Sequence, residues 1–93
     1  MQYEIVRTKR FKTAFKRVKR LPGFKEAIFL EVVSILASGS KLSAEYRDHQ
    51  LTGNLKSFRE CHIAPDILLI YHIEQGILVL TLVSIGNHSQ LFK

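Results

Sequence analysis

A chain of 93 residues has room for one domain and one modest hydrophobic core, not two. Apolar residues at 46% and charged residues at 24% exclude a disordered tail or a coiled coil, and 14 basic against 8 acidic residues leave a net charge of +6, which points to an anionic partner, nucleic acid or an acidic protein segment. The longest apolar stretch, Ala27 to Ala37, is broken by Glu31 and Ser34 and falls short of the roughly 20 residues that cross a bilayer, and Met1 to Arg10 holds no apolar signal core, so a cytoplasmic protein with no membrane partner is expected.

Tyr3, Glu4 and Ile5 alternate as a short first strand does. From Thr8, a suitable N-cap, the period changes: Phe11, Ala14, Phe15, Val18 and Leu21 recur at helical spacing. Arg10, Lys12, Lys16, Arg17 and Lys19 fall between them, which makes a basic amphipathic helix. Pro22 and Gly23 break the chain, and a second helix is predicted from Phe24 to Ser38 through Ala27, Ile28, Val32, Ile35 and Leu36. A polar connection, Ser40 to Asn54, leads to a strand over Leu55 to Ile63, a turn at Ala64-Pro65 and a strand over Ile67 to Ile73. Glu74-Gln75-Gly76 turns the chain into a last strand, Ile77 to Ile85, and a short tail carries Leu91 and Phe92. The continuous run Ile67-Leu68-Leu69-Ile70 predicts a central strand covered on both faces, by the helices on one and by other chain or a partner on the second. The expected architecture is a single α+β domain over residues 1–93, with an N-terminal strand and a two-helix hairpin packed on an antiparallel-rich sheet.

Several chemistries lack their signatures. There is no Gly-rich phosphate loop, dinucleotide fingerprint or nucleophile elbow, which removes ATP, NAD and acyl-transfer chemistry. No histidine pair has helical ligand spacing and Cys61 is the one cysteine, so neither a metal site nor a small-molecule cofactor is expected. Cys61 lies in an apolar-alternating stretch, where a thiol is usually inert packing.

His49 sits in the polar segment Tyr46-Arg47-Asp48-His49, His62 just before a turn and His88 just after the last strand, positions at which a rigid sheet holds out functional groups. His72 and its neighbour Tyr71 lie in or beside a strand and are assigned packing or surface roles. Histidines with basic residues and no metal can cleave RNA. One group draws the proton from the 2'-hydroxyl, a second protonates the departing 5'-oxygen, and cations stabilise the charge on phosphorus. Asp66, four residues after His62 and across the turn, can be the base, can orient a histidine, or can be simply a turn residue after Pro65.

At these residues the chain resembles the YafQ-like mRNA interferases of the RelE superfamily, toxins of bacterial toxin-antitoxin pairs. The resemblance rests on Asp48-His49-Gln50-Leu51-Thr52-Gly53, on Phe58-Arg59-Glu60-Cys61-His62-Ile63-Ala64-Pro65-Asp66, on Leu69-Ile70-Tyr71, and on Gly86-Asn87-His88-Ser89-Gln90-Leu91-Phe92. It implies a RelE-like fold and a catalytic cluster of His49, His62, Asp66 and His88. It further implies that Phe92 helps position the substrate, with Lys56 and Arg59 as cationic neighbours of the phosphate. The implied partners are a cognate antitoxin, the ribosome and the message being translated, with the basic helix on ribosomal RNA phosphate. Two positions depart from the pattern: Ser84 stands where many relatives carry an arginine, and Ile67 where they often carry an aromatic. Either Arg47, Lys56 or Arg59 is then expected to supply the missing cation, or the chain is expected to be a slower nuclease. The competing readings are a non-enzymatic gyrase poison resembling ParE, which needs no histidine cluster, and an RNA- or antitoxin-binding module of reduced activity.

Overall fold

The computed structural model describes residues 2–92. The order is β1 (Glu4–Arg7), α1 (Lys9–Val18), α2 (Glu26–Ala37), β2 (His49–Gln50), β3 (Arg59–Ala64), β4 (Ile67–Glu74), β5 (Val79–Gly86) and α3 (His88–Leu91), with single 3-10 turns at Ala44–Tyr46 and Gly53–Leu55. The strands form one sheet in the order β1-β5-β4-β3-β2, with β1 parallel to β5 and every other pair antiparallel. This is the expected strand, helix hairpin and antiparallel-rich sheet.

Helix α1 starts where its sequence says it should. The Thr8 hydroxyl accepts from the Phe11 amide at 3.0 Å and donates to the Val83 carbonyl at 2.7 Å, so one side chain caps the helix and ties it to β5. Phe11, Ala14 and Val18 of α1, with Phe29, Val32 and Leu36 of α2, bury one face of the sheet against Cys61, Leu69, Tyr71, Leu80, Leu82 and Ile85. Phe15 joins Phe11, Phe24 and Phe29 in an aromatic cluster that closes the hairpin; Phe15 and Phe29 lie 4.9 Å apart.

The opposite face of the sheet carries a smaller apolar cluster, Leu68, Ile70 and Leu91, flanked by Leu51, Phe58, Val83 and Phe92. The chain itself, through α3 and the Leu51–Phe58 segment, covers part of the face for which a partner was the alternative.

Several boundaries differ from the sequence expectation, and two short elements are new. Strand β3 begins at Arg59 rather than Leu55, because Gly53–Leu55 closes a 3-10 turn first. Strand β5 begins at Val79 rather than Ile77: Leu78 adopts φ 54°, a turn conformation, and Ile77 is exposed. Within the polar segment His49 and Gln50 form strand β2, and the tail forms α3. Neither is visible as a pattern, since two residues and a single turn are too short to show a period.

Candidate functional site

Strand alternation decides which side chains of β3 can meet. Cys61 and Ile63 point into the helix-side core, so Glu60 and His62 point to the opposite face, where they pair across the ladder with Ile70 and Leu68. Strand β2 adds to the outer edge of β3 with His49 opposite Glu60. His49 Nε2 lies 3.4 Å and His62 Nε2 4.0 Å from the same Glu60 oxygen, Oε2. Glu60 is only 6% exposed, so this carboxylate is a buried hub between two imidazoles. His49 Nδ1 lies 2.8 Å from the Arg47 carbonyl, an acceptor, and so carries a proton that it donates there.

His88 arrives from the other end of the sheet. Gly86 closes β5 with φ 156°, and a Cβ at that position would lie 2.8 Å from the Gln90 side-chain oxygen. Asn87 then caps α3 in a reciprocal box: its side chain accepts from the Gln90 amide at 2.8 Å, and the Gln90 side chain accepts from the Asn87 amide at 3.0 Å. The Gly-Asn-His-x-Gln spacing is therefore the sequence of a one-turn helix whose first residue, His88, is held out over the sheet. Phe92 packs on the apolar cluster and against the His88 ring, with centroids 4.8 Å apart.

Between these two ends lies an open depression of about 520 Å³. Glu60, His62 and Asp66 line it from β3 and the β3–β4 turn, Asn87, His88 and Ser89 from the start of α3, and Leu68 forms part of its floor. Three of the four expected catalytic residues thus share one depression, and the fourth, His49, joins it through Glu60. Such a set can accept a proton, donate one and hold an imidazole in place.

A match over residues 3–93 to the family model described as the bacterial toxin of type II toxin-antitoxin system, YafQ, bears on this arrangement. The chain is 33% identical to the mRNA interferase toxin YafQ of Escherichia coli K12 over 92 residues, 99% of this chain and 94% of that one. The chain belongs to the YafQ family. Among solved structures, the metal-bound toxin from Helicobacter pylori superposes with a TM-score of 0.88 at 41% identity, covering 99% of this chain and 100% of that one. The Escherichia coli DinJ–YafQ toxin-antitoxin complex gives 0.86 at 26% identity, covering all of both chains. Although the Helicobacter relative is described with a metal, the described residues here include no group of three or more His, Cys, Asp and Glu side chains set to hold one.

The expected cations of this YafQ-family chain divide. Arg47, in the left-handed region at φ 51°, borders one depression with His62, Pro65 and Ile28 of α2 and another with Asp48, Arg59 and Tyr71, and does not line the depression of His62, Asp66 and His88. Lys56 is exposed beyond Gln50, whose side-chain amide donates to the Lys56 carbonyl. Arg59 is not brought to the cluster. Strand alternation turns it to the helix side, where its Nη2 donates to Asp48 Oδ2 at 3.0 Å and its Nε to Oδ1 at 3.3 Å. That hydrogen bond holds the guanidinium pKa above its ordinary value. Arg59, expected as a phosphate neighbour, is thus placed away from the histidines and braces the loop before His49.

Tyr71 is also more than packing, since its buried hydroxyl donates to Asp48. Burial, and then the bond to Asp48, push its phenol well above the ordinary value. Burial likewise pushes the Cys61 thiol up to about 12, so it stays protonated and inert. Ile67, where relatives often carry an aromatic, is in the helix-side core, out of reach of a base. Ser84 is 3% exposed, and the basic residues beside it are Lys9, Arg10 and Arg17 of α1 rather than Arg47, Lys56 or Arg59.

Glu60 was missed in the sequence. It stood in an alternating stretch as one more charged residue, and only the position of His49 across the ladder gives it a role.

Proposed function

We propose that this chain is the toxin of a type II toxin-antitoxin pair and an endoribonuclease that cleaves translated message at the ribosome through His49, His62, Asp66 and His88. The observation that carries the reading is the convergence of His62, Asp66 and His88 on one depression, with His49 linked to it by the buried Glu60. The name of the 33% identical relative, an mRNA interferase toxin, supports the same chemistry.

A phosphate seated over Leu68 has His62 and Asp66 on one wall and His88 on the other. One wall takes the proton of the 2'-hydroxyl, the 2'-oxygen attacks the adjacent phosphorus, and the bond to the 5'-oxygen breaks. The opposite wall delivers a proton to that oxygen, leaving a 2',3'-cyclic phosphate and a 5'-hydroxyl end. Glu60 keeps His49 and His62 oriented, and Phe92 backs the His88 ring. Arg47 and Lys56 are the cations on the β2 side of the strand. The lysines of α1 suit ribosomal RNA, and the net charge of +6 suits an acidic antitoxin segment, consistent with the DinJ–YafQ complex of the relative.

The test is primer extension on a message translated in a reconstituted system, with and without the purified chain. Discrete 5'-hydroxyl ends that vanish with His88→Ala are expected. An intact message at stoichiometric protein would refute the nuclease.

A further inference from the structure

Helix α1 carries two basic stripes, and they differ. At about 100° per residue, Arg10, Thr13 and Arg17 fall on one flank of the buried Phe11–Ala14–Val18 face, while Lys12, Lys16 and Lys19 fall on the other. The arginine flank forms one wall of a groove of about 440 Å³, with Ser84 of β5 and Gln90 of α3 on the opposite side. Among the described residues no carboxylate lines it. Arg10 Nη2 donates to the Leu91 carbonyl at 3.4 Å, so its guanidinium reaches across the groove with most of its N–H groups left over. Ser84 keeps the space open, since it is small and almost fully buried.

We propose that this groove is a second phosphate subsite, in which Arg10 and Arg17 hold the backbone phosphate next to the scissile one in a single-stranded RNA. The proposal rests on the nuclease reading above and adds the path of the strand to it. Guanidinium groups are suited to the task because their planar fork matches two phosphate oxygens at once, whereas an ammonium binds as a point charge. Lys9 also lines the groove, and Thr13, Ser84 and Gln90 add neutral polar groups around the cations. Position supplies the second argument. The histidine depression and the groove flank the same single turn, α3, with His88 and Ser89 on one side and Gln90 and Leu91 on the other. That turn is only about 6 Å long, so a strand seated over His88 continues across it into the groove. The missing strand arginine at Ser84 is thereby answered from α1, by a cation that grips the neighbouring phosphate.

The probe is a fluorescent single-stranded 2'-O-methyl RNA, which lacks the attacking hydroxyl, titrated by anisotropy between 50 and 300 mM salt. Arg10→Ala/Arg17→Ala is compared with Lys12→Ala/Lys16→Ala, which removes the same charge from the other flank; all four residues are exposed, and equal melting temperatures establish that both variants fold. The arginine pair is expected to weaken binding about tenfold and to reduce the slope of log K against log salt by about 0.7, one phosphate contact. The lysine pair is expected to change affinity less than about twofold. Equal losses in the two variants would reduce the groove to net charge and overturn the proposal. So would unchanged RNA binding by the arginine pair together with lost affinity for the antitoxin, which would make an acidic peptide the occupant. Cleavage of a message translated in the reconstituted system is measured in parallel with the wild type. Cut message with binding indifferent to Arg10 and Arg17 removes the subsite alone; intact message removes the nuclease reading, and with it the scissile neighbour.

Discussion

Replacing Asp48 by alanine separates the scaffold of the site from its chemistry. Asp48 immediately precedes His49 and receives the Tyr71 hydroxyl and two N–H groups of Arg59. Without it the buried Tyr71 hydroxyl has lost its acceptor, at a cost of about 1–3 kcal/mol. Arg59 is 39% exposed and can turn to water, so the lost ion pair adds only about 0.5–1 kcal/mol. The total, about 1.5–4 kcal/mol, lowers the melting temperature of a domain of this size by roughly 6–30 °C. Since the same carboxylate pins the loop that carries His49, cleavage measured well below the new melting temperature is expected to fall about tenfold. The assay is a thermal melt followed by circular dichroism, with RNA cleavage at 20 °C. Tyr71→Phe provides the internal check: it is destabilising in the wild type, but in the Asp48→Ala background it removes an orphaned hydroxyl and is expected to be neutral or to recover about 1 kcal/mol. A melting temperature lowered by less than about 3 °C, or Tyr71→Phe equally costly in both backgrounds, would refute the reasoning.

His88→Ala is expected to abolish RNA cleavage with no change in melting temperature, because His88 is exposed; His62→Ala added to it is expected to cost little more, as for residues that act as one unit, and additive losses would argue for separate sites. Asn87→Ala removes the cap of α3 and is expected to destabilise the chain by about 1 kcal/mol and to slow cleavage by releasing His88, both read against the wild type in parallel melts and cleavage assays. Between its ordinary 9.0 and the folded value of about 12, the Cys61 thiol is ionised in the unfolded chain and protonated in the folded one. Its contribution is therefore complete below pH 9 and is lost as the pH rises toward 12, at up to about 1.4 kcal/mol per pH unit, with Tyr71 acting in the same direction. Urea denaturation at pH 8, 10 and 11 should show a shallower loss for Cys61→Ala than for the wild type, and parallel curves would count against a buried, protonated thiol.

The order of the longer elements and most of the candidate site were legible from local signals. The period of 3.6 in Phe11, Ala14, Phe15 and Val18, the break at Pro22-Gly23 and the apolar run of β4 each depend on neighbours in the chain, so each can be read without the fold. His49, His62, Asp66 and His88 were singled out by their places at strand ends and by the resemblance of the motifs that carry them. The roles of their neighbours depend on which strand lies beside which, and no local signal carries that. Glu60 becomes a hub only because β2 brings His49 opposite it, and Arg59 is lost to the cluster because one step along a strand reverses the face. Ser84 makes the point most sharply. Strict alternation from Leu82 would send Ser84 into the helix-side core and Ile85 away from it, but a bulge between the Tyr71–Leu82 and Ile70–Ser84 pairs resets the face. Ile85 enters the core and Ser84 turns toward the groove beneath Arg10 and Arg17. The sequence alone determined that a basic helix and a set of histidines exist; the extra residue at Val83, held by the Thr8 hydroxyl on its carbonyl, decided how the last strand meets that helix. A bulge of this kind belongs to the pairing of two strands, and so it is set by tertiary contacts and not by the residues of either strand alone.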